Sequence, residues 1–167
     1  MATQAYIAVK GQRQGQFKSE NTLANRKDRW IPILSFEMDV QAPHDSATGA
    51  ASGKRQFNPV TIVKKWGAAS PQGLSACATN EDLPEVVIEF TKTNVNGAEY
   101  VFQRITLTDA TIVEVKRFTH AQDGTLLLRP GEQDALELDR WSFVFRKIEV
   151  ADNDGKTSFT DNWSATV

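Results

Sequence analysis

The chain has 167 residues, 40% of them hydrophobic and 24% charged, with a formal net charge of -2. That length predicts one domain over 1–167, able to bury roughly two-thirds of the surface its unfolded form exposes, and the near-neutral charge gives no electrostatic argument for nucleic acid or an anionic membrane. Apolar runs fall far short of the roughly 20 residues a membrane helix needs, the polar start MATQAYIAVKG predicts a chain made without a cleavable leader, and the lone Cys77 has no intrachain disulfide partner.

Tyr6 to Gly11 alternates as a short first strand, and the polar stretch after it reads as loop. From Leu34 the alternation is clean: Leu34, Phe36, Met38 and Val40 face inward, and Ser35, Glu37, Asp39 and Gln41 form a wet face. Ile31 and Ile33 lie on the opposite parity, which predicts a bulge or corner near Ile33. The small, polar connection PHDSATGAASGK follows, either a hairpin tip or a contact loop.

Residues 53–90 organise the rest as strand, short helix, strand. Val60, Ile62 and Trp66 share one face of the strand, with Phe57, Pro59 and Val63 on the other, which predicts cover on both sides. Ser70 is placed to cap the helix with Pro71 at its first position. Leu74, Cys77 and Ala78 supply a narrow apolar stripe, and Gly73 weakens the helix by roughly 1 kcal/mol relative to alanine. A helix so short must dock on a sheet.

Val86, Ile88 and Phe90 then face inward, Asn96-Gly97 signals a hairpin turn, and a long strand apolar on both parities returns from Ala98 to about Lys116. Residues 117–135 form a second long connection carrying Leu126, Leu127 and Leu128, which need cover from the chain's own sheet or from a partner. Trp141, Phe143 and Phe145 occupy one parity and Ile148 and Val150 the other, so a corner is expected at Arg146-Lys147. Asp154-Gly155 is a further hairpin signal, with Phe159 and Trp163 on one face of the closing strand. The whole reads as mainly β.

The segment KRQFNPVTIVKKW to ASPQGLSAC, with YIAVKG and IPILSFEMDVQAP before it and LDRWSFVFRKIEV and DNDGKTSFTDNW after it, resembles in order and spacing the haemolysin-coregulated proteins (Hcp), the tube subunits of bacterial type VI secretion systems. The resemblance implies a β-barrel built from two antiparallel sheets with one short flanking α-helix. It also implies homo-hexameric rings stacked into a hollow tube, with the sheath, the spike protein and secreted effectors as partners. Such a protein is made in the bacterial cytoplasm, leaves through the secretion system, and needs no cofactor. On this view the wet face of Ser35, Glu37 and Asp39 lines the lumen, and Thr48, Gly49, Ser52, Lys54 and Arg55, with Leu126, Leu127 and Leu128, serve ring contacts.

Little in the chain points to catalysis. His44, Asp45 and Ser46 imitate a triad by composition alone, because consecutive loop residues point apart. His44, His120 and Cys77 have no zinc-ligand spacing, and Asp152, Asp154 and Gly155 lack the later ligands of a calcium loop. Basic residues from Lys10 to Arg29 are interleaved with acids and lack aromatics at stacking intervals, unlike a nucleic-acid surface. Alternatives are a phage or bacteriocin tail-tube subunit, a non-polymerising adaptor, and a small β-barrel enzyme or sugar-binding module using Trp30, Trp66, Trp141 or Trp163.

Overall fold

The structure is a computed structural model that describes residues 4–20, 28–119 and 137–162. Strand pairing is antiparallel throughout the described residues. The main path runs β2 (Gly15–Gln16), β1 (Gln4–Gly11), β8 (Leu83–Thr93), β9 (Glu99–Phe118), β10 (Leu138–Val144), β7 (Val60–Lys65), β4 (Ser35–Glu37). On this path β3 (Ile31–Ile33) is added to β1, and the hairpin β11 (Lys147–Asp152) to β12 (Thr157–Asn162) is added to β9, while β5 (Val40–Gln41) and β6 (Gln56–Phe57) pair only with each other. The path is open at its ends rather than a closed cylinder of uninterrupted strands.

The long strand β9 joins two halves. Its first part pairs with β8 and β11, Thr108 lying opposite Lys147, and its second part pairs with β10, Phe118 lying opposite Leu138. Between them Asp109 takes a positive φ of 51°, an uncommon conformation for a residue with a Cβ. The corner expected at Arg146-Lys147 lies there: β10 ends at Val144, and the Arg146 N–H crosses to the Thr108 carbonyl at 3.2 Å. The corner near Ile33 is also present, since Ile31 and Ile33 are buried against β1 while Ser35 and Glu37 are exposed on β7. Inside the bend, however, Leu34 and the later Val40 are about half exposed, at 52% and 49%, instead of facing inward.

The core is built on β10 and β7, whose alternate residues Trp141, Phe143, Val60 and Ile62 are fully buried. Trp141 meets Phe17 edge-on at 6.2 Å, and Phe57 meets Phe145 in the same way at 5.5 Å, the geometry aromatic quadrupoles favour. β8 is covered on both sides: Val86 and Ile88 enter the main core, and Val87 joins Tyr6, Ala8 and Trp30 in a second cluster.

Helix α1 spans Ser70–Ala78, but two sequence expectations about it are overturned. Ser70 is not the cap. Ala69 holds that position without a side-chain bond, and the buried Ser70 hydroxyl instead accepts from the Gly67 N–H (3.0 Å) and the Lys64 ammonium (3.2 Å). The docked face is Ser70, Gly73 and Ala76, with Cys77 partly buried against the core, and does not include Leu74 and Ala78. Leu74 and Ala78 are exposed. Gly73 is not a flaw in the helix but its point of contact, because a Cβ there would lie 2.4 Å from Cζ2 of Trp141.

Beneath the helix lies a charged cluster that apolar periodicity does not announce. Lys64 shares the inner parity of Val60 and Ile62 and is fully buried. Its ammonium donates to both oxygens of Glu20 (2.9 and 3.0 Å) and to the Lys65 carbonyl (2.7 Å), and lies 3.9 Å from the buried Asp139. Glu20 also accepts from the Ala69 N–H at 2.7 Å, so one carboxylate ties the N-terminal segment to the helix start. Asp139 is held from its other side by Arg117 at 2.9 Å.

Candidate functional site

The sheet β4, β7, β10 and β9 turns one side to the core and the other outward, and the register aligns its residues in rows. Phe36, Ile62, Trp141 and Val115 form a row packed against or within the core. On the other side Glu37, Thr61, Ser142 and Glu114 form a polar row across the four strands, and Ser35, Val63, Arg140 and Lys116 form the next. These two rows line a groove of about 280 Å³, excepting Lys116. Within it the hydroxyls of Thr61 and Ser142 are 3.2 Å apart, and Arg140 reaches Glu114 at 3.4 Å.

The three residues expected on the wet face do not stay together. Ser35 and Glu37 are exposed on β4 and border the groove. Asp39 lies past the strand, where its carboxylate accepts from the Asn58 side chain at 2.6 Å and its carbonyl from the Asn58 N–H at 3.1 Å, securing the base of the next hairpin. Thr61, Glu114, Arg140 and Ser142 were not anticipated. Alternation with Trp141 and Phe143 marks Arg140 and Ser142 as outward, but only the strand register brings them beside Glu37.

The connection after β5 is an ordered hairpin. His44 bridges to Ala51, the Asp45 carboxylate accepts from the Ala47 N–H at 2.8 Å, and Gly49 takes φ +74° while donating to the Asp45 carbonyl at 2.8 Å. Thr48, Gly49, Ser52 and Lys54 are all exposed on it. Arg55 is committed within the chain: its guanidinium forks onto both carboxylate oxygens of Asp161 in β12. Leu126, Leu127 and Leu128 lie outside the described residues, as do His120 and Trp163.

The imitation triad does not assemble, since the His44 ring bonds the Ala42 carbonyl at 2.7 Å while Asp45 serves its own turn. Among the described residues no group of three or more His, Cys, Asp or Glu could hold a metal ion, and no helix is long and apolar enough to cross a membrane. Trp30 and Trp141 are buried, which removes both as sugar platforms, and one face of the Trp66 ring carries the Arg117 guanidinium at 4.1 Å.

Among the described residues, two carboxylates have pKa values held below the ordinary range. For Asp161 the Arg55 hydrogen bonds dominate over the opposing effect of burial. For Glu81 burial alone would raise the pKa, but N–H donors from Gln14 (3.0 Å) and Arg13 (3.1 Å) and the Gln14 side-chain amide outweigh it. A depressed folded-state pKa stabilises the fold fully above the unfolded value of about 4 and loses that stabilisation as pH falls through the folded value. The urea midpoint should therefore be level from about pH 7 to 5 and fall below about pH 4. In Glu81→Gln it should start lower at neutral pH and fall less in acid, and an unchanged acid limb would refute the assignment.

A family model described as "Type VI secretion system effector, Hcp" matches residues 6–151. The chain is 30% identical over 176 residues to the major exported protein of Pseudomonas aeruginosa, covering 100% of this chain and 99% of that one. Among solved structures, one described as Hcp protein superposes with a TM-score of 0.85 at 23% identity, covering 99% of this chain and 100% of the other. The secreted protein Hcp3 of Pseudomonas aeruginosa superposes with a TM-score of 0.76 at 26% identity, covering 98% and 100%.

Proposed function

The chain belongs to the Hcp family, the tube subunits of type VI secretion systems, and from that premise we propose that the outer side of β4, β7, β10 and β9 lines the lumen of its ring. The observation that carries this is the row Glu37, Thr61, Ser142 and Glu114, a hydrated surface four strands wide backed by a packed one. An inner wall that passes cargo needs a polar surface on a firm backing, and the polar rows lying over the packed row of Phe36, Ile62, Trp141 and Val115 support that reading. Cyclic head-to-tail contacts make the ring, and contacts between ring faces extend it into a tube.

The same reading assigns the fold's curvature. The segment 31–37 pairs with β1 through Ile31–Ile33 and with β7 through Ser35–Glu37, so the two limbs of the strand path meet on one bent stretch of chain, and we read the sheet as a barrel. The projecting hairpin of Thr48, Gly49, Ser52 and Lys54 serves contacts between stacked rings. The sheath, the spike protein and exported effectors are the partners proposed for the assembled tube, and the subunit acts as a wall and carrier without catalysis.

Glu37→Trp tests the lumen assignment. Native mass spectrometry should show rings of unchanged size, while co-purification of a lumen-bound effector should be lost. Failure of the variant to form rings would place Glu37 in a subunit contact instead. Deleting Thr48–Ser52 tests the hairpin: single rings should persist, and tube assembly on sheath should drop about tenfold, a loss of a few favourable contacts per ring. Undiminished assembly would remove the hairpin from the stacking surface.

A further inference from the structure

We propose that the groove on this face is a recognition site for a basic side chain, lysine or arginine, of a bound polypeptide, with Glu37 as its principal anchor. The proposal deepens the lumen reading and rests on it for the identity of the polypeptide as cargo. The groove has about 280 Å³, just below the roughly 300–1,000 Å³ of small-molecule sites, which suits one side chain better than a metabolite. Its lining is rich in acceptors: two carboxylates, the Ser35 hydroxyl, and the Thr61 and Ser142 hydroxyls, which after bonding each other retain more acceptor sites than donors. The cation in the lining, Arg140, is set against Glu114 at 3.4 Å.

That pairing leaves Glu37 as the groove's charge without an ion pair among the described residues. Beyond Arg140, Lys116 is the other cation in these two rows. It stands in the next row beside Arg140, at the opposite corner of the four strands. Three strand spacings are about 14 Å, beyond the roughly 8 Å over which physiological salt lets exposed charges interact. A donor-rich, positively charged group entering at β4 meets carboxylate and hydroxyl oxygens, and the one cation of the lining, Arg140, is paired with Glu114 two strands away. A charge-assisted bond of this kind is the stronger class, and its exposure makes it sensitive to salt.

The test uses a fluorescein-labelled Gly-Ser peptide bearing lysines, its twin bearing glutamates, and anisotropy titration of the full-length protein. The lysine peptide should bind, the glutamate twin should not, and Glu37→Gln should weaken lysine-peptide binding about tenfold. Glu149→Gln, which makes the same charge change at an exposed position on β11, should leave it within about twofold. Equal losses in the two variants, or no binding by the wild-type protein, would overturn the proposal. Location is judged separately by Ser35→Cys in a Cys77→Ala background, in assembled rings: a small maleimide should react and a dextran-linked one should not. Fast reaction with dextran would remove the groove from the lumen while leaving the Glu37 selectivity to stand or fall on the peptide data.

Discussion

Gly73→Ala should lower the unfolding free energy by about 2 kcal/mol, although alanine is the better helix former by about 1 kcal/mol. The added methyl would lie 2.4 Å from Cζ2 and 2.7 Å from Cε2 of Trp141. Neither partner can retreat easily. Trp141 is fully buried, with Phe17 and Phe143 against it, and α1 is fixed at its start by Glu20 and Ser70. Overpacking a tight interior costs about 1–3 kcal/mol, which exceeds the propensity gain. Urea unfolding at pH 7 checks the sign, and a more stable alanine variant would show that the helix can lift off the sheet at little cost. In a Trp141→Phe background, where the indole's outer ring is gone, the alanine penalty should shrink or reverse. Such non-additivity is the mark of two groups in contact.

Lys64→Met should be more damaging still, by about 3–5 kcal/mol, the usual cost of breaking a buried ion pair from one side. Methionine fills most of the volume, so the loss is electrostatic. Glu20 would keep only the Ala69 N–H of its present partners here, and Asp139 would keep Arg117 on one oxygen while the other, buried and without a hydrogen bond, would lose the ammonium 3.9 Å away. Converting the carboxylates as well, in Lys64→Met with Glu20→Gln and Asp139→Asn, should recover a good part of the loss, because a neutral cluster no longer carries stranded charge. Urea midpoints of the single and triple variants decide the matter. If the triple variant were no better than the single one, packing of the lysine stem would outweigh its charge.

These two sites also show where the sequence was legible and where it was not. Alternation located the strands around Phe36, Ile62, Val86 and Trp141, and parity changes located both corners, because burial on one side of a pleated strand leaves a period of two. Lys64 falls on the same parity as Val60 and Ile62, yet periodicity reads a lysine there as a break in the pattern. Its partners come from Glu20 and Asp139, far away in the chain. Gly73 was misread for the same reason: its meaning lies in Trp141, on another strand. The polar face was half visible. Ser35 and Glu37 could be read as outward, but Asp39 follows the end of β4, where a strict period no longer holds. Thr61, Glu114, Arg140 and Ser142 became neighbours of Glu37 only through pairing registers that a single chain of letters does not state. The family resemblance put Arg55 among the ring-contact residues, and only the fold shows its pairing with Asp161, more than a hundred positions away.

The strand β9, shared by both halves of the sheet, has a kinetic consequence. Its partners are spread along the chain: β8 just before it, then β10 and β11 after a long excursion, while β8 also pairs with the distant β1, where Ile7 lies opposite Ile88. The β8–β9 and β11–β12 hairpins form from local contacts, but the pairings that join them to β1, β7 and β10 span long stretches of chain, whose closure must precede the reward. Chains dominated by such distant pairings refold over milliseconds to seconds rather than microseconds. During that interval, and during synthesis until β10 and β11 emerge, one edge of β9 stands open. A subunit made in the large numbers a tube demands is thus most vulnerable to mispairing with its own copies while it is half made.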